Sequence, residues 1–362
     1  MKITGVKATA VSLPRTAKLR TSYGTRDQAV TVVVEVKTDE GLVGVGQTSV
    51  DAPSYGETTD GILANTRAHL APAVIGESPL DIEYLNQKLR AALPHHWASH
   101  AGVELALWDL KGKALGVPVY QLLGGKVRDG VDLMGFVQRD EPAAMARKAV
   151  ETLDRIPYPV LKMKIGIDPA EDLPRYAAVA EAVAGRAVIQ VDGNVGYTIA
   201  QAIPTLTAME RAGSLGAIEQ PVKRRDEMAE IARRVPAPVM SDEGIYPYED
   251  AIEIVRLRAA SIALMKITKH GGIASVQKIA SVFDAAGLIL SVAIYYDVIA
   301  AAAAHIAAAF PCVRWPSPAT DLGDTILTEP LASKDLLLPV PEGPGFGVAL
   351  DPEKMKKYAL DL

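Results

Sequence analysis

Five charged residues recur down the middle of this 362-residue chain, each at or just beyond the end of a short apolar run. Lys164 lies in V-L-K-M-K-I-G, Asp192 in V-I-Q-V-D-G-N, Glu219 in G-A-I-E-Q-P, Asp242 in P-V-M-S-D-E-G and Lys266 in I-A-L-M-K-I-T-K-H-G-G. They are separated by 28, 27, 23 and 24 residues, and Lys162 precedes the first by two. Three carboxylates brought to one place repel one another unless a cation sits between them. An all-oxygen set suits a hard ion, so Asp192, Glu219 and Asp242 are expected to hold Mg²⁺, with Mn²⁺ as a substitute. Glu243 either replaces Asp242 in that set or sits behind it. Asn194 is either a substrate contact or a turn-forming residue.

Lys162 and Lys164 are two apart, so in a strand both side chains leave from one face. Each ammonium disfavours the other's charge, and burial adds to this. The expectation is a lysine with a lowered pKa, able to act as a general base. Lys266 closes a later run and is assigned to the site, while Lys269 and His270 are assigned to the turn before Gly271-Gly272. Two lysines then stand on opposite sides of the ion. A carboxylate bound there presents its α-carbon between them, and the metal offsets the charge that develops as the α-proton leaves. The chemistry expected is proton abstraction α to a carboxylate through an enediolate.

The elements that must position these residues follow from the spacing. A strand, a helix and two loops take about 25 residues, the pace of the βα unit of a parallel barrel, whose strand ends all face one mouth. Helical stretches at Glu141–Leu153, Ala170–Val183, Ile199–Ala212, Arg225–Arg234, Tyr248–Arg256 and Ile273–Ala286 alternate with the charged runs. The fold class is therefore α/β, a TIM-type barrel of seven or eight units over residues 126–318. Before it, residues 1–125 read as an α+β cap. Strands at Met1–Pro14, Gln28–Lys37 and Leu42–Thr48 precede helices at Thr58–Leu70, Pro79–Leu93 and Trp97–Leu115. The glycines of G-L-V-G-V-G lack a following helix start and read as a hairpin rather than a phosphate loop. Lys18–Arg26 and Asp51–Thr58 read as mobile loops. Residues 319–362 are expected to fold back onto the cap.

Composition narrows the function classes. Net charge is −5 with both signs mixed, which argues against a nucleic-acid surface. Cys312 is the sole cysteine, so no intrachain disulfide can form and a reducing, cytoplasmic setting is expected. The start, M-K-I-T-G-V-K, does not read as a signal peptide. Leu288–Phe310 is largely apolar but contains Asp297 and His305, and reads as a strand leading into a buried helix rather than a membrane span.

Taken together, L-K-M-K-I-G, V-D-G-N, I-E-Q-P, S-D-E and L-M-K-I-T-K-H-G-G resemble the motifs of the enolase superfamily, in its muconate lactonizing enzyme subgroup. A-L-W-D-L-K-G-K-A-L-G-V-P and L-L-G-G resemble that family's link from cap to barrel. The resemblance implies Lys164 and Lys266 as acid/base residues, Lys162 as electrostatic support, and Asp192, Glu219 and Asp242 as Mg²⁺ ligands. It implies cap loops near Tyr23 and Tyr55 that close over a small carboxylate substrate, and a homo-oligomer, dimer or octamer. The chain also departs from individual branches. Lys266 stands where mandelate racemases carry a histidine. Tyr295 stands where muconate cycloisomerases carry a glutamate, and lines the pocket or packs it. Asp321 and Asp324 are not spaced as the Asp-x-Asp of dipeptide epimerases. The specific reaction stays open among cycloisomerisation, racemisation or epimerisation of an amino-acid derivative, and dehydration of a hydroxy acid. A non-catalytic protein that kept the fold is the alternative from another class.

Overall fold

The computed structural model describes residues 1–21, 24–319 and 322–362, and the side chains of these except 17–21 and 24–26. Strands β1 (Ile3–Thr21), β2 (Gly24–Thr38) and β3 (Val43–Ser49) form an antiparallel meander in that order. Runs of β-branched residues such as Val32, Val33, Val34 and Val36 are buried along it, as a half-covered sheet requires. The ladder continues through Leu19↔Arg26 and Thr21↔Gly24 after a shift in register at Pro14/Leu19. The backbone of Lys18–Thr21 and Gly24–Arg26 is therefore strand, which corrects the loop expected over Lys18–Arg26. Proline cannot donate to a ladder, and Pro14 marks the point where the pairing slips.

The helix Trp97–Leu115 lies directly on β3. A Cβ at Gly44 would sit 2.1 Å from the Ala106 carbonyl oxygen, and one at Gly46 would sit 2.0 Å from that of Gly102. G-L-V-G-V-G is thus a strand stripped of side chains so that a helix can approach, not a phosphate loop. This helix is buried almost all round, and its two carboxylates serve as connectors. Glu104 accepts from the backbone N–H groups of Ile273 and Ala274, both at 2.9 Å, and so caps the start of the helix Ile273–Ala285. Asp109 accepts from Val45 N at 2.8 Å and Phe346 N at 2.9 Å, joining cap strand to tail. Burial raises the Glu104 pKa to about 7.

Strands β4 (Gly130–Val137), β5 (Val160–Lys164), β6 (Val188–Asp192), β7 (Leu215–Glu219), β8 (Val239–Ser241), β9 (Ile262–Met265) and β10 (Ile289–Val292) pair in parallel, each with the next. The two-residue β11 (Ser317–Pro318) pairs with β4, and a bridge between Leu290 and Val313 brings the same segment to β10. Eight parallel strands thus make a nearly closed barrel. Helices follow the strands on the outside, the last being the wholly buried, Ala-rich Asp297–Ala309. Among the described residues no helix is long and apolar enough to cross a membrane. Strand β12 (Leu337–Pro339) adds antiparallel to the start of β4, and the tail then bridges Pro118 through Gly345 and Val11 through Ala359.

Candidate active site at the barrel mouth

Parallel pairing puts the charged residues in a row. Lys164 pairs with Asp192 and Asp192 with Glu219 across β5, β6 and β7. Asp242 directly follows β8, and Lys266 directly follows β9. Within β5, the buried Leu161 and Met163 alternate with Lys162 and Lys164, whose ammonium groups meet carboxylates at the ends of β6 and β7.

The ammonium of Lys162 donates to Glu219 Oε2 at 2.5 Å and lies 2.8 Å from Asp192 Oδ2. Lys164 donates to Asp192 Oδ2 and to Asn194 Oδ1, each at 2.6 Å. Lys266 pairs with Asp242 Oδ2. The six residues singled out from the sequence therefore form two ion-paired groups on neighbouring strand ends: Lys266 with Asp242, and a network of Lys162, Lys164, Asp192 and Glu219. Asn194 belongs to the latter through Lys164, and its Nδ2 donates to Glu243 Oε1 at 3.0 Å. Glu243, next in sequence to Asp242, thereby meets Asn194.

The electrostatics overturn one expectation. Burial alone lowers Lys162, but the charges of Asp192 and Glu219 outweigh it and the pKa is raised. Lys266 is likewise raised well above its ordinary value, burial being outweighed by Asp242. The lowered pKa read from the Lys162–Lys164 spacing is therefore not found at Lys162, because the neighbouring strand ends supply carboxylates that a one-strand view leaves out. The same pairs act on the acids. Burial would raise Asp192 and Asp242, yet Lys162 and Lys164 hold the first, and Lys266 and Lys269 the second, below the usual carboxylate range. Glu219 goes the other way, raised to about 7 by burial and then by Asp192, despite its bond from Lys162.

Three residues that the sequence reading left without a role hold these groups in place. Gln190, on β6, donates to Glu219 Oε2 and accepts from Trp315 Nε1 at 2.6 Å. Gln220 has a positive φ of 35° and turns its side-chain oxygen onto the backbone N–H groups of Asp242 and Gly244, both at 2.9 Å. Lys269 is not a turn residue but part of a one-turn helix, Ile267–His270, and reaches Asp242 from beneath. The I-E-Q-P motif signals Gln220, since a polar residue between a strand and a proline requires a partner. No pattern signals Gln190 or Lys269.

Over the row, the Tyr55 and Tyr295 hydroxyls meet at 2.5 Å, and burial raises both pKa values. Tyr246 donates to the Ser54 carbonyl from the barrel side. Asp51–Thr58, expected as a loop, holds a single helical turn, Ala52–Tyr55. Tyr23, the other cap tyrosine singled out from the sequence, lies outside the described residues.

Whether these residues suit a divalent cation can be tested on the structure. Among the described residues no three histidine, cysteine or carboxylate groups converge as a ready cluster, because the carboxylates are turned onto the lysines. Even so, Glu219 Oε1 and Glu243 Oε2 are buried with no hydrogen-bond donor. A buried carboxylate oxygen without a donor is costly unless a cation or water meets it. Hard oxygen donors on adjacent strand ends, two of them orphaned, fit a hard divalent ion.

Comparison with known proteins now has a site to explain. Residues 3–124 match the mandelate racemase/muconate lactonizing enzyme N-terminal domain, and residues 144–354 match the enolase C-terminal domain-like family. The chain belongs to the mandelate racemase/muconate lactonizing enzyme family of the enolase superfamily. Within this family it is similar to muconate cycloisomerase 1 of Pseudomonas putida, 34% identical over 91% of this chain and 90% of that protein. The crystal structure of N-succinyl Arg/Lys racemase from Bacillus cereus superposes with a TM-score of 0.94 at 28% identity, covering 99% of this chain and 98% of that one. A dipeptide epimerase from Cytophaga hutchinsonii, complexed with Mg and D-Ala-L-Val, superposes with a TM-score of 0.92 at 25% identity over 99% and 98%. These family members are isomerases of three kinds on one fold, so the fold leaves the substrate to the residues around the mouth.

Proposed function

We propose that this chain is a divalent-cation-dependent isomerase that moves the proton α to a substrate carboxylate. In this reading Asp192, Glu219 and Asp242 hold Mg²⁺, or Mn²⁺ in its stead, with Glu243 beside them. When bound, the ion supplies charge neutralisation at the substrate carboxylate as the α-proton leaves. Lys164 and Lys266 are the acid/base pair, one for each face of the α-carbon. Lys162, donating to two of the carboxylates, is a fixed cation. In this reading Tyr55, Tyr295, Asn194 and Tyr23 are assigned as substrate contacts.

The observation that carries this is the placement of Lys164 and Lys266 at the two ends of the row, one on Asp192 and the other on Asp242, with Glu219 between. A base must reach its proton within hydrogen-bond distance, and one side chain cannot reach both faces of a fixed carbon. Two bases on opposite sides favour racemisation or epimerisation of an amino-acid derivative. Cycloisomerisation, in which one lysine moves a proton and the other stays a fixed cation, is the second reading, motivated by the likeness to muconate cycloisomerase. The division into a cap over 1–125, a barrel over 126–318 and a returning tail belongs to the same proposal, as do a homo-oligomer and a cytoplasmic setting. The test is a calorimetric titration with Mg²⁺, which the native protein is expected to bind and the Asp192→Asn and Glu219→Gln variants to lose. Unchanged affinity in both variants removes the metal assignment.

A further inference from the structure

Among the described residues, Lys269 is the lysine at the mouth to which the proposed reading gives no role. It is also the most deeply buried, with 1% of its side chain exposed against 19% for Lys164 and 16% for Lys266. Its ammonium lies 2.6 Å from the Asp242 carbonyl oxygen, 2.8 Å from Asp242 Oδ1 and 3.5 Å from the Leu264 carbonyl oxygen. An ammonium has three protons, and these acceptors take all three. A lysine so enclosed has neither a free proton nor a path to a substrate.

The helical turn that carries it is itself fixed. Thr268 Oγ1 accepts from the backbone N–H of Ser49 at 3.2 Å, and His270 Nδ1 lies 2.7 Å from the Tyr246 carbonyl oxygen. The Tyr246 ring lies beneath the ammonium, its centroid 5.5 Å away. On the opposite side, Gln220 holds the Asp242 N–H. Asp242 is thus gripped at its backbone N–H, its carbonyl and Oδ1. Only Oδ2, which meets Lys266, is left to change partners.

We infer that Lys269 is a positioning residue that locks Asp242 with Oδ2 alone presented to the mouth. The inference rests on the proposed reading of Asp242 as a metal ligand. It opposes the simplest electrostatic expectation, in which a cation 2.8 Å from the ligand weakens metal binding and its removal strengthens it. Positioning predicts the reverse sign.

The experiment is calorimetric titration of Mg²⁺, without substrate, into the native protein and the Glu219→Gln, Lys269→Met and Lys269→Arg variants. The native protein is expected to bind and Glu219→Gln to lose binding. Lys269→Met and Lys269→Arg are each expected to weaken binding by about tenfold or more, the range seen when the partner that orients a ligand is removed. The rise in melting temperature caused by Mg²⁺ should shrink in step, whatever happens to the metal-free melting temperature. Tighter or equal binding in Lys269→Met, with native-like binding in Lys269→Arg, overturns the inference and leaves the metal site standing. Absence of binding in the native protein overturns the site reading, and the inference falls with it. A crystal structure of the native protein grown with Mg²⁺ needs no variant to fold. Lys269 Nζ still on Asp242 Oδ1 supports the inference, and an Asp242 carboxylate turned away from Lys269 overturns it.

Discussion

Strands β5 to β9 and strand β10 come from the same βα repetition, yet they end differently. The first five finish in lysines and carboxylates whose partners are one another, β5 with β6 and β7, and β9 with β8. Strand β10 is followed by A-I-Y-Y-D, where the Tyr295 hydroxyl meets Tyr55 of the cap rather than the next strand. One part of the mouth is thus closed upon itself by charge, and the other is completed only by a second region of the chain. On the proposed reading, the charged arc is where reaction chemistry can be held constant. The tyrosine arc is where selection among substrates can vary without disturbing it.

The largest effect should come from cutting the charged arc at either end. Lys266→Ala is expected to block solvent-deuterium exchange of the α-proton from one enantiomer, by 10²–10⁴-fold, and to spare much of the exchange from the other. Lys164→Ala should do the converse. Full exchange from both enantiomers in Lys266→Ala would sink the two-base reading. One-sided exchange in the native protein would turn the comparison towards cycloisomerisation.

Removing a support of the charged arc should cost stability as well as activity. Gln220→Leu strips the backbone N–H groups of Asp242 and Gly244 of their acceptor, and each buried donor left unpaired costs about 1–3 kcal/mol. Denaturant titration should show a loss of about 2–6 kcal/mol in total. A change below 0.5 kcal/mol would mean that the loop after β8 is held by something else.

A third region, the joint where cap, helix and tail meet, offers a contrast in pH dependence. His305 Nδ1 accepts from the Tyr120 N–H, and the ring packs on Tyr120 and Phe346. Burial lowers its pKa to about 4. A histidine depressed in the fold binds its proton more readily when unfolded. Stability is therefore fully present above pH 6.5 and is lost as pH falls from there towards 4, by about 2 kcal/mol between pH 7 and pH 5 for this residue alone. The His305→Asn variant keeps an acceptor for Tyr120 and should flatten that part of the slope in denaturant titrations. An unchanged slope would assign the acid sensitivity to other groups.

Tyr295→Phe should give the smallest effect. It removes one side of the hydroxyl pair over Lys266 and is expected to raise KM several-fold, with kcat for the exchange reaction little changed. A kcat loss comparable to that of Lys266→Ala would move Tyr295 into the charged arc and dissolve the distinction between the two.

The contrast also explains what was legible beforehand. Lys164, Asp192, Glu219, Asp242 and Lys266 were readable because burial makes a bare charge at a strand end conspicuous, and because parallel strands bring their ends to one side. The element pattern was readable for the same reason, period by period. Lys269 was misplaced because a helix of one turn leaves no periodicity, so the residue looked like part of the Gly271-Gly272 turn. Gln190 and Gln220 are neutral, and neutral residues become visible only through their partners. The direction of the Lys162 pKa shift was misread because Lys164 is its neighbour in sequence, whereas the carboxylates that govern it arrive from β6 and β7. The β1–β2 ladder over residues 19–21 and 24–26 was missed because the sequence there is mostly polar and alternates without an apolar face.

The return of the tail has a consequence for how the chain is made. Ala359 bridges Val11, Leu360 N donates to the Ala10 carbonyl, and Gly345 bridges Pro118. The sheet at the start of the chain therefore waits for residues more than three hundred positions downstream. A ribosome that has delivered the cap and most of the barrel has not yet supplied the strip that covers β1. Contacts this distant close slowly and leave an edge exposed in the interval. The same arrangement constrains chimeras. A cap transplanted from a relative without its own last forty or so residues would arrive with a seam that the host's tail was not shaped to fill.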